Sequence, residues 1–115
     1  MQIRIRRVYE PLQDDDGTRV LVDRLWPRGM AKAKLPDVAW RKDVAPSDAL
    51  RKSFAHKPGR WAEFRKRYFA ELDANPDPVA DLRKLAKQGR LTLLYAARDE
   101  QHNNALALKE YLLGK

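Results

Sequence analysis

The sequence predicts an α/β fold: one three-layer-like domain over residues 1–115, with a small, mostly parallel sheet flanked by about four helices. Three observations predict it. Short apolar runs of strand length alternate with segments of helical periodicity along the whole chain. The most apolar run, Leu91-Thr92-Leu93-Leu94-Tyr95-Ala96-Ala97, has no polar face and suits a central strand buried on both sides. No linker, internal repeat or low-complexity tract divides the 115 residues, a length that fits one core.

The elements follow in order. Gln2 to Tyr9 alternates Ile with Arg, which predicts a strand near a sheet edge with Ile3, Ile5 and Val8 inward. Asp14-Asp15-Asp16-Gly17 is a polar turn in which Gly17 can take positive φ. Arg19 to Asp23 reads as a second strand, able to pair with the first as a hairpin across a long loop. Leu25-Trp26-Pro27-Arg28-Gly29 interrupts regular structure, and Val38 to Asp43 reads as a short strand around Trp40. Ser47 is placed to cap a helix from Asp48 with Ala49, Leu50 and Phe54 inward.

A longer helix begins near Pro58, and Trp61, Phe64, Tyr68 and Leu72 form an aromatic stripe along its core face. Asn75-Pro76 stops it. Asp77-Pro78 starts another, with Val79, Leu82 and Leu85 inward and Gly89 closing it. The last helix starts after Asp99 and packs through Ala105, Leu108 and Leu112.

Composition excludes several chemistries. With no cysteine there is no disulfide, thiolate nucleophile or iron–sulfur cluster. Two histidines outside any H-x-x-x-H pair give no support for zinc, and no metal or cofactor is expected. Glycine-rich nucleotide loops are missing. The amino terminus lacks the apolar core of a signal peptide, and no run approaches a membrane span, so a cytoplasmic location without membrane association is expected. The net charge of +8 raises nucleic acid as a partner, yet the excess is spread as +3, +3 and +2 over residues 1–35, 36–76 and 77–115. A solvated mixed-charge surface accounts for it equally well. Oligomeric state is open, although the Ile-Arg alternation can shield or pair a sheet edge.

Three polar turns follow strands: Asp23 to Gly29, Ala45-Pro46-Ser47, and Ala97-Arg98-Asp99 with His102 and Asn103 beyond. In a parallel sheet they share the rim at the strands' carboxyl ends, where such folds bind ligands. Arg24, Arg28 and Arg98 would match carboxylate or phosphate oxygens, with Arg51 one turn into the first helix. Two helix starts, after Ser47 and after Asp99, would add backbone donors. Asp23, Asp99 and His102 can accept or donate a proton, with Asp23 or His102 the candidate base, and Trp26 is the candidate for an apolar wall. Blander readings stand beside these. Arg24 and Arg98 can pair with Asp23 and Asp99, Ser47 and Asp99 can be caps, and His56 can be a helix-flanking hydrogen-bonder.

Four blocks carry a family resemblance: R-V-L-V-D-R-L-W-P-R-G (19–29), W-R-K-D-V-A-P-S-D-A-L-R (40–51), the span from Phe54 through His56 and Trp61 to Leu72, and T-L-L-Y-A-A-R-D-E-Q-H-N (92–103). Together they closely resemble the YeaO-like branch of domain-of-unknown-function family 488, from about Ile5 to Leu112. The resemblance implies a bacterial or archaeal cytoplasmic protein with an α/β fold, and it assigns no substrate, cofactor or catalytic residue. Asp23, Arg24, Trp26, Arg28, Ser47, Arg51, His56, Arg98, His102 and Asn103 are the polar or aromatic residues at its motif positions. The expectation is a pocket for a small anionic, phosphorylated or nucleotide-like ligand, with hydrolase or transferase activity an option. The alternatives are a basic nucleic-acid-binding or regulatory module, and an accessory protein without chemistry.

Overall fold

The computed structural model describes residues 1–114. Four parallel strands, β1 (Ile3–Arg7), β2 (Thr18–Leu21), β3 (Val38–Trp40) and β4 (Leu91–Tyr95), form one sheet in the order β1-β4-β2-β3. The helices are α1 (Asp48–Phe54), α2 (Trp61–Asp73), α3 (Pro76–Gln88) and α4 (Asn104–Gly114). Short 3-10 turns cover Asp14–Asp16, Lys32–Lys34, Lys42–Val44 and Pro58–Arg60. This is the α/β architecture that the interleaved pattern predicts.

β1 and β2 do not form a hairpin. β4 lies between them and pairs with both in parallel, Ile5 and Val20 each opposite Leu93. The reason is burial. All five residues of β4 are buried, and only a place inside the sheet covers both faces and both edges of such a strand. The less apolar β1 takes an edge, as its alternation predicts.

The two faces are covered differently. Ile3, Val20, Leu91, Leu93 and Tyr95 pack against all four helices through Leu50, Phe54, Phe64, Tyr68, Leu72, Leu82, Leu108 and Leu112. The opposite face, with Leu21 and Leu94, is covered by connections that bring in Leu12, Trp26, Met30 and Leu35. Val8 is buried on that second face, not beside the isoleucines. Arg4 and Arg6 also lie on it, and with Arg19 they converge on the fully buried Asp16 at 3.2, 3.9 and 3.0 Å. Thus the Ile half of the alternation builds the core, and the Arg half fastens the 8–17 connection to the sheet.

Some element starts differ from expectation. α3 begins at Pro76, one residue earlier than Asp77-Pro78 suggests, because a proline is accommodated at the first helical position, while the Asn75 side chain donates to the Asp43 carbonyl at 2.6 Å and does not cap the helix. α4 begins at Asn104, not directly after Asp99. Asp99 caps the intervening turn by accepting from the amides of Gln101 and His102, while Asn103 Oδ1 accepts from the Leu106 amide at 2.8 Å and caps the helix. Ala49, expected inward, is exposed, since Leu50 and Phe54 alone fill the buried side of the short α1.

Candidate functional site

The carboxyl ends of the strands open onto a cleft of about 890 Å3. Its walls come from segments far apart in sequence: Tyr9 after β1, residues 23–28 after β2, Pro46, Arg51, Phe54 and His56 around α1, and Ala96 to Asp99 with Asn103 and Asn104 after β4. Parallel pairing explains the convergence, because every strand delivers its following turn to the same end. Eight of the ten motif residues line this cleft: Asp23, Arg24, Trp26, Arg28, Arg51, His56, Arg98 and Asn103. Ser47 and His102 are not among its lining residues.

Each side chain is placed by identifiable contacts. The Asp23 carboxylate accepts from the Ala96 amide at 2.9 Å and from Asn104 Nδ2 at 3.0 Å, while Trp40 Nε1 donates to the Asp23 carbonyl at 2.8 Å. Burial pushes this carboxyl above the usual carboxylate range, against the opposing pull of Asn104, the Ala96 amide and the charge of His56. The turn after β2 is held by Trp26 Nε1 to the Met30 carbonyl at 2.6 Å and by Tyr9 Oη to the Arg28 carbonyl at 2.8 Å. Trp26 stands edge-on to Trp40 with ring centres 5.3 Å apart.

The expected pairing of Arg24 with Asp23 does not occur. Arg24 donates instead to the carbonyls of Pro46 and Ala45 at 2.9 and 3.2 Å, tying the β2 turn to the entry of α1. Arg98 does not pair with Asp99, whose carboxylate is engaged by the Gln101 and His102 amides and by His102 Nδ1 at 2.8 Å. Those contacts hold the Asp99 carboxyl below its ordinary range, the Gln101 amide first. His102 also meets Trp61 edge-on at 5.5 Å, which accounts for its position outside the cleft lining.

Ser47 is a cap, not a free hydroxyl. Its Oγ accepts from the Leu50 amide at 3.2 Å and donates to Glu71 Oε2 at 2.6 Å, and its own amide donates to Glu71 Oε1. A protein carboxylate therefore occupies the amino end of α1, and Asn103 serves that of α4. The cationic character of the cleft comes from side chains.

Those side chains are unusual within the molecule. The chain contains fourteen arginines, and the side chains of twelve make at least one hydrogen bond or ion pair to another described residue. The other two are Arg28 and Arg98, both exposed and both lining the cleft. Arg51 lines it too, bonded to Asp48 at 3.2 Å but with its buried Nε unpartnered. Next to it, Ala55 and His56 sit in the left-handed region at φ 49° and 54°, which sets His56 at the cleft wall. Sequence inspection misses the apolar contribution of Tyr9, Leu25 and Phe64, since no local pattern says which aromatic or aliphatic groups border a cleft and which enter the core. Among the described residues no group of three His, Asp or Glu side chains is placed to hold a metal ion, and no helix is long and apolar enough to cross a membrane.

Comparison with known proteins places this geometry in a family. The chain is 44% identical over 112 residues to "Uncharacterized protein YeaO" of Escherichia coli (strain K12), covering 97% of each chain. It is 42% identical over 114 residues to "Uncharacterized protein Rv3073c" of Mycobacterium tuberculosis (strain ATCC 25618 / H37Rv), covering 99% of this chain and 96% of that one. A protein of Mycobacterium bovis, "Uncharacterized protein Mb3100c", matches at the same identity and coverage. No solved structure matches the chain. Residues 2–115 match the family DUF488-N3i, described as "Inactive DUF488-N3 subclade", and the chain belongs to that family.

Proposed function

We propose that the cleft binds a small anionic ligand, phosphorylated or nucleotide-like, and holds it without turnover. One observation carries this reading: the two arginines whose side chains have no partner among the described residues share one cleft with a third whose Nε is buried and unpaired. A guanidinium is a fork of donors that matches phosphate or carboxylate oxygens. A buried donor left unpaired costs about 1–3 kcal/mol, which an incoming acceptor recovers. The volume falls within the range of about 300–1,000 Å3 usual for small-molecule sites, and Tyr9, Leu25, Trp26 and Phe54 supply apolar wall.

Binding without chemistry follows from how the reactive groups are engaged. Ser47 is bonded at both ends by Glu71 and the Leu50 amide, and His102 is turned to Asp99 and Trp61. Neither group is therefore free to act with Asp23, whose remaining titratable neighbour in the cleft is His56, and the family's description as an inactive subclade agrees with binding alone.

The test is a thermal-shift screen at low salt with inorganic phosphate, sugar phosphates, nucleotides and short nucleic acids. A ligand that binds the folded state raises the melting temperature by mass action. Stabilisation by a small phosphorylated compound is expected, and it should disappear in Arg28→Ala and Arg98→Ala. Neither variant should melt differently from wild type without ligand, because neither side chain has a partner to lose among the described residues. Unchanged stabilisation in both variants would remove the cleft from consideration.

A further inference from the structure

The cleft is not uniformly cationic. After β2 the chain turns to the face covered by Trp26, Met30 and Leu35, and after β4 it turns to the face covered by α4. Two adjacent strands whose continuations leave on opposite faces create a crevice between their carboxyl ends, the usual ligand position in such sheets. Asp23 lies in this crevice and bridges it, from its own place after β2 to the Ala96 amide after β4.

The Asp23 carboxylate is held rigidly and is not used up. One oxygen accepts from Ala96 N and the other from Asn104 Nδ2, at 2.9 and 3.0 Å. Asn104 is itself fixed by donating to the Val22 carbonyl at 3.0 Å. An ionised carboxylate offers roughly four acceptor directions, so two contacts leave it able to accept more. No guanidinium pairs with it. Its neighbour Arg24 is committed to two carbonyls, and Arg51 is bonded to Asp48. A bare anion drawn in by Arg28 and Arg98 would meet this carboxylate as a like charge. A ligand with hydroxyl groups beside its phosphate meets both needs, giving oxygens to the arginines and a donor to Asp23.

We infer that the cleft selects a phosphate ester carrying hydroxyl groups, of the sugar-phosphate or nucleotide class, and that Asp23 reads a ligand hydroxyl by accepting its hydrogen bond. The inference rests on the anion-site reading and adds what stands beside the phosphate. Arg28 and Arg98 supply attraction for any phosphate monoester. Asp23 supplies discrimination among them.

The experiment compares ribose 5-phosphate with butyl phosphate, an aliphatic monoester without a donor beyond its phosphate, by titration calorimetry at pH 7.5. Wild type is expected to bind ribose 5-phosphate at least about 10-fold more tightly, since a hydrogen bond to a charged group is at stake. Asp23→Asn should reduce that ratio to about two-fold or less while binding butyl phosphate as well as wild type or better, because a repelling charge is gone. Equal wild-type affinities would overturn the selectivity and leave the anion site standing. A high ratio that persists in Asp23→Asn would overturn the role of Asp23. Binding of neither compound to wild type would overturn the anion site itself. The two wild-type titrations decide the selectivity even if the variant does not fold.

Discussion

At the scale of single residues, the turn Asp14-Asp15-Asp16-Gly17 shows how local chemistry and long-range packing meet. Gly17 has φ +69°, and a Cβ there would stand 2.3 Å from the Arg90 carbonyl oxygen, which already accepts from the Thr18 amide at 2.9 Å. Gly17→Ala combines left-handed strain with a backbone clash, so a loss of about 3 kcal/mol or more in urea unfolding is expected. The positive φ is legible in the sequence; the clash with Arg90 is not, because it joins two segments far apart in the chain. Asp16 is a second case. Burial works against its ionised form, but the Gln13 amide and Arg19 outweigh that and hold its carboxyl below the ordinary value. A depressed carboxyl stabilises the fold fully above its unfolded pKa of about 3.9, and the contribution is lost as pH falls through the folded value. Asp16→Ala should cost about 3 kcal/mol at neutral pH, since it leaves three arginines facing an empty site, and the difference from wild type should shrink below about pH 4. Unfolding titrations of both proteins from pH 7 to pH 3 check it. A difference independent of pH would mean that Asp16 acts by packing alone. The sequence shows the acidic turn but not which aspartate is buried, and the three carboxylates look alike until the arginines of β1 and β2 are placed.

At the scale of elements, what is legible follows from periodicity, and what is not follows from contacts between elements. The stripe Trp61, Phe64, Tyr68, Leu72 is read as a core face, and the last three are buried, with Tyr68 Oη also donating to the Val44 carbonyl at 2.5 Å. The cap at Ser47 is read equally well from its place before Asp48. Its second partner, Glu71, lies 24 residues away and has no local signature. Ser47→Ala therefore should cost more than the ~1 kcal/mol of an ordinary cap, about 2 kcal/mol, because Glu71 loses a partner at 2.6 Å as well. It should leave ligand affinity unchanged, and calorimetry with the same ligand would expose a binding role if affinity fell. The other end of α1 gives the opposite prediction. Ala55 terminates the helix at φ 49°, a conformation that costs alanine and not glycine. Ala55→Gly is expected to stabilise the protein by about 0.5–1 kcal/mol, read from the denaturant midpoint. The start of α4 eludes sequence inspection because Asp99 and Asn103 are both good caps four residues apart, and only the turn between them decides which one opens the helix.

At the scale of the whole molecule, the net charge of +8 is the feature most easily misread. Polyanion binding needs basic side chains free to meet successive phosphates. Here the arginines of the long helices are committed, Arg65 to Glu110, Arg67 to Ser53 and Arg83 to the Tyr111 carbonyl, as is Arg60 in the turn before α2, which donates to the Ser53 carbonyl. The lysines between them, Lys66, Lys84 and Lys87, share those helices with Glu63, Glu71, Asp73, Asp77 and Asp81. Arg28 and Arg98, whose side chains have no partner among the described residues, line one cleft together with the exposed Tyr9 and Leu25. Charge totals show none of this, since pairing depends on strand order, and strand order depends on β4, the last strand made, entering between the first two. The expected outcome is weak association with short duplex or single-stranded oligonucleotides at low salt that vanishes at about 150 mM, while binding of a small phosphate ester in the cleft persists there. Fluorescence anisotropy with a labelled oligonucleotide, repeated across a salt series, measures the first, and calorimetry the second. Tight oligonucleotide binding that survives about 150 mM salt and is unaffected by Arg28→Ala would move the positive charge's role from the cleft to the helical surface.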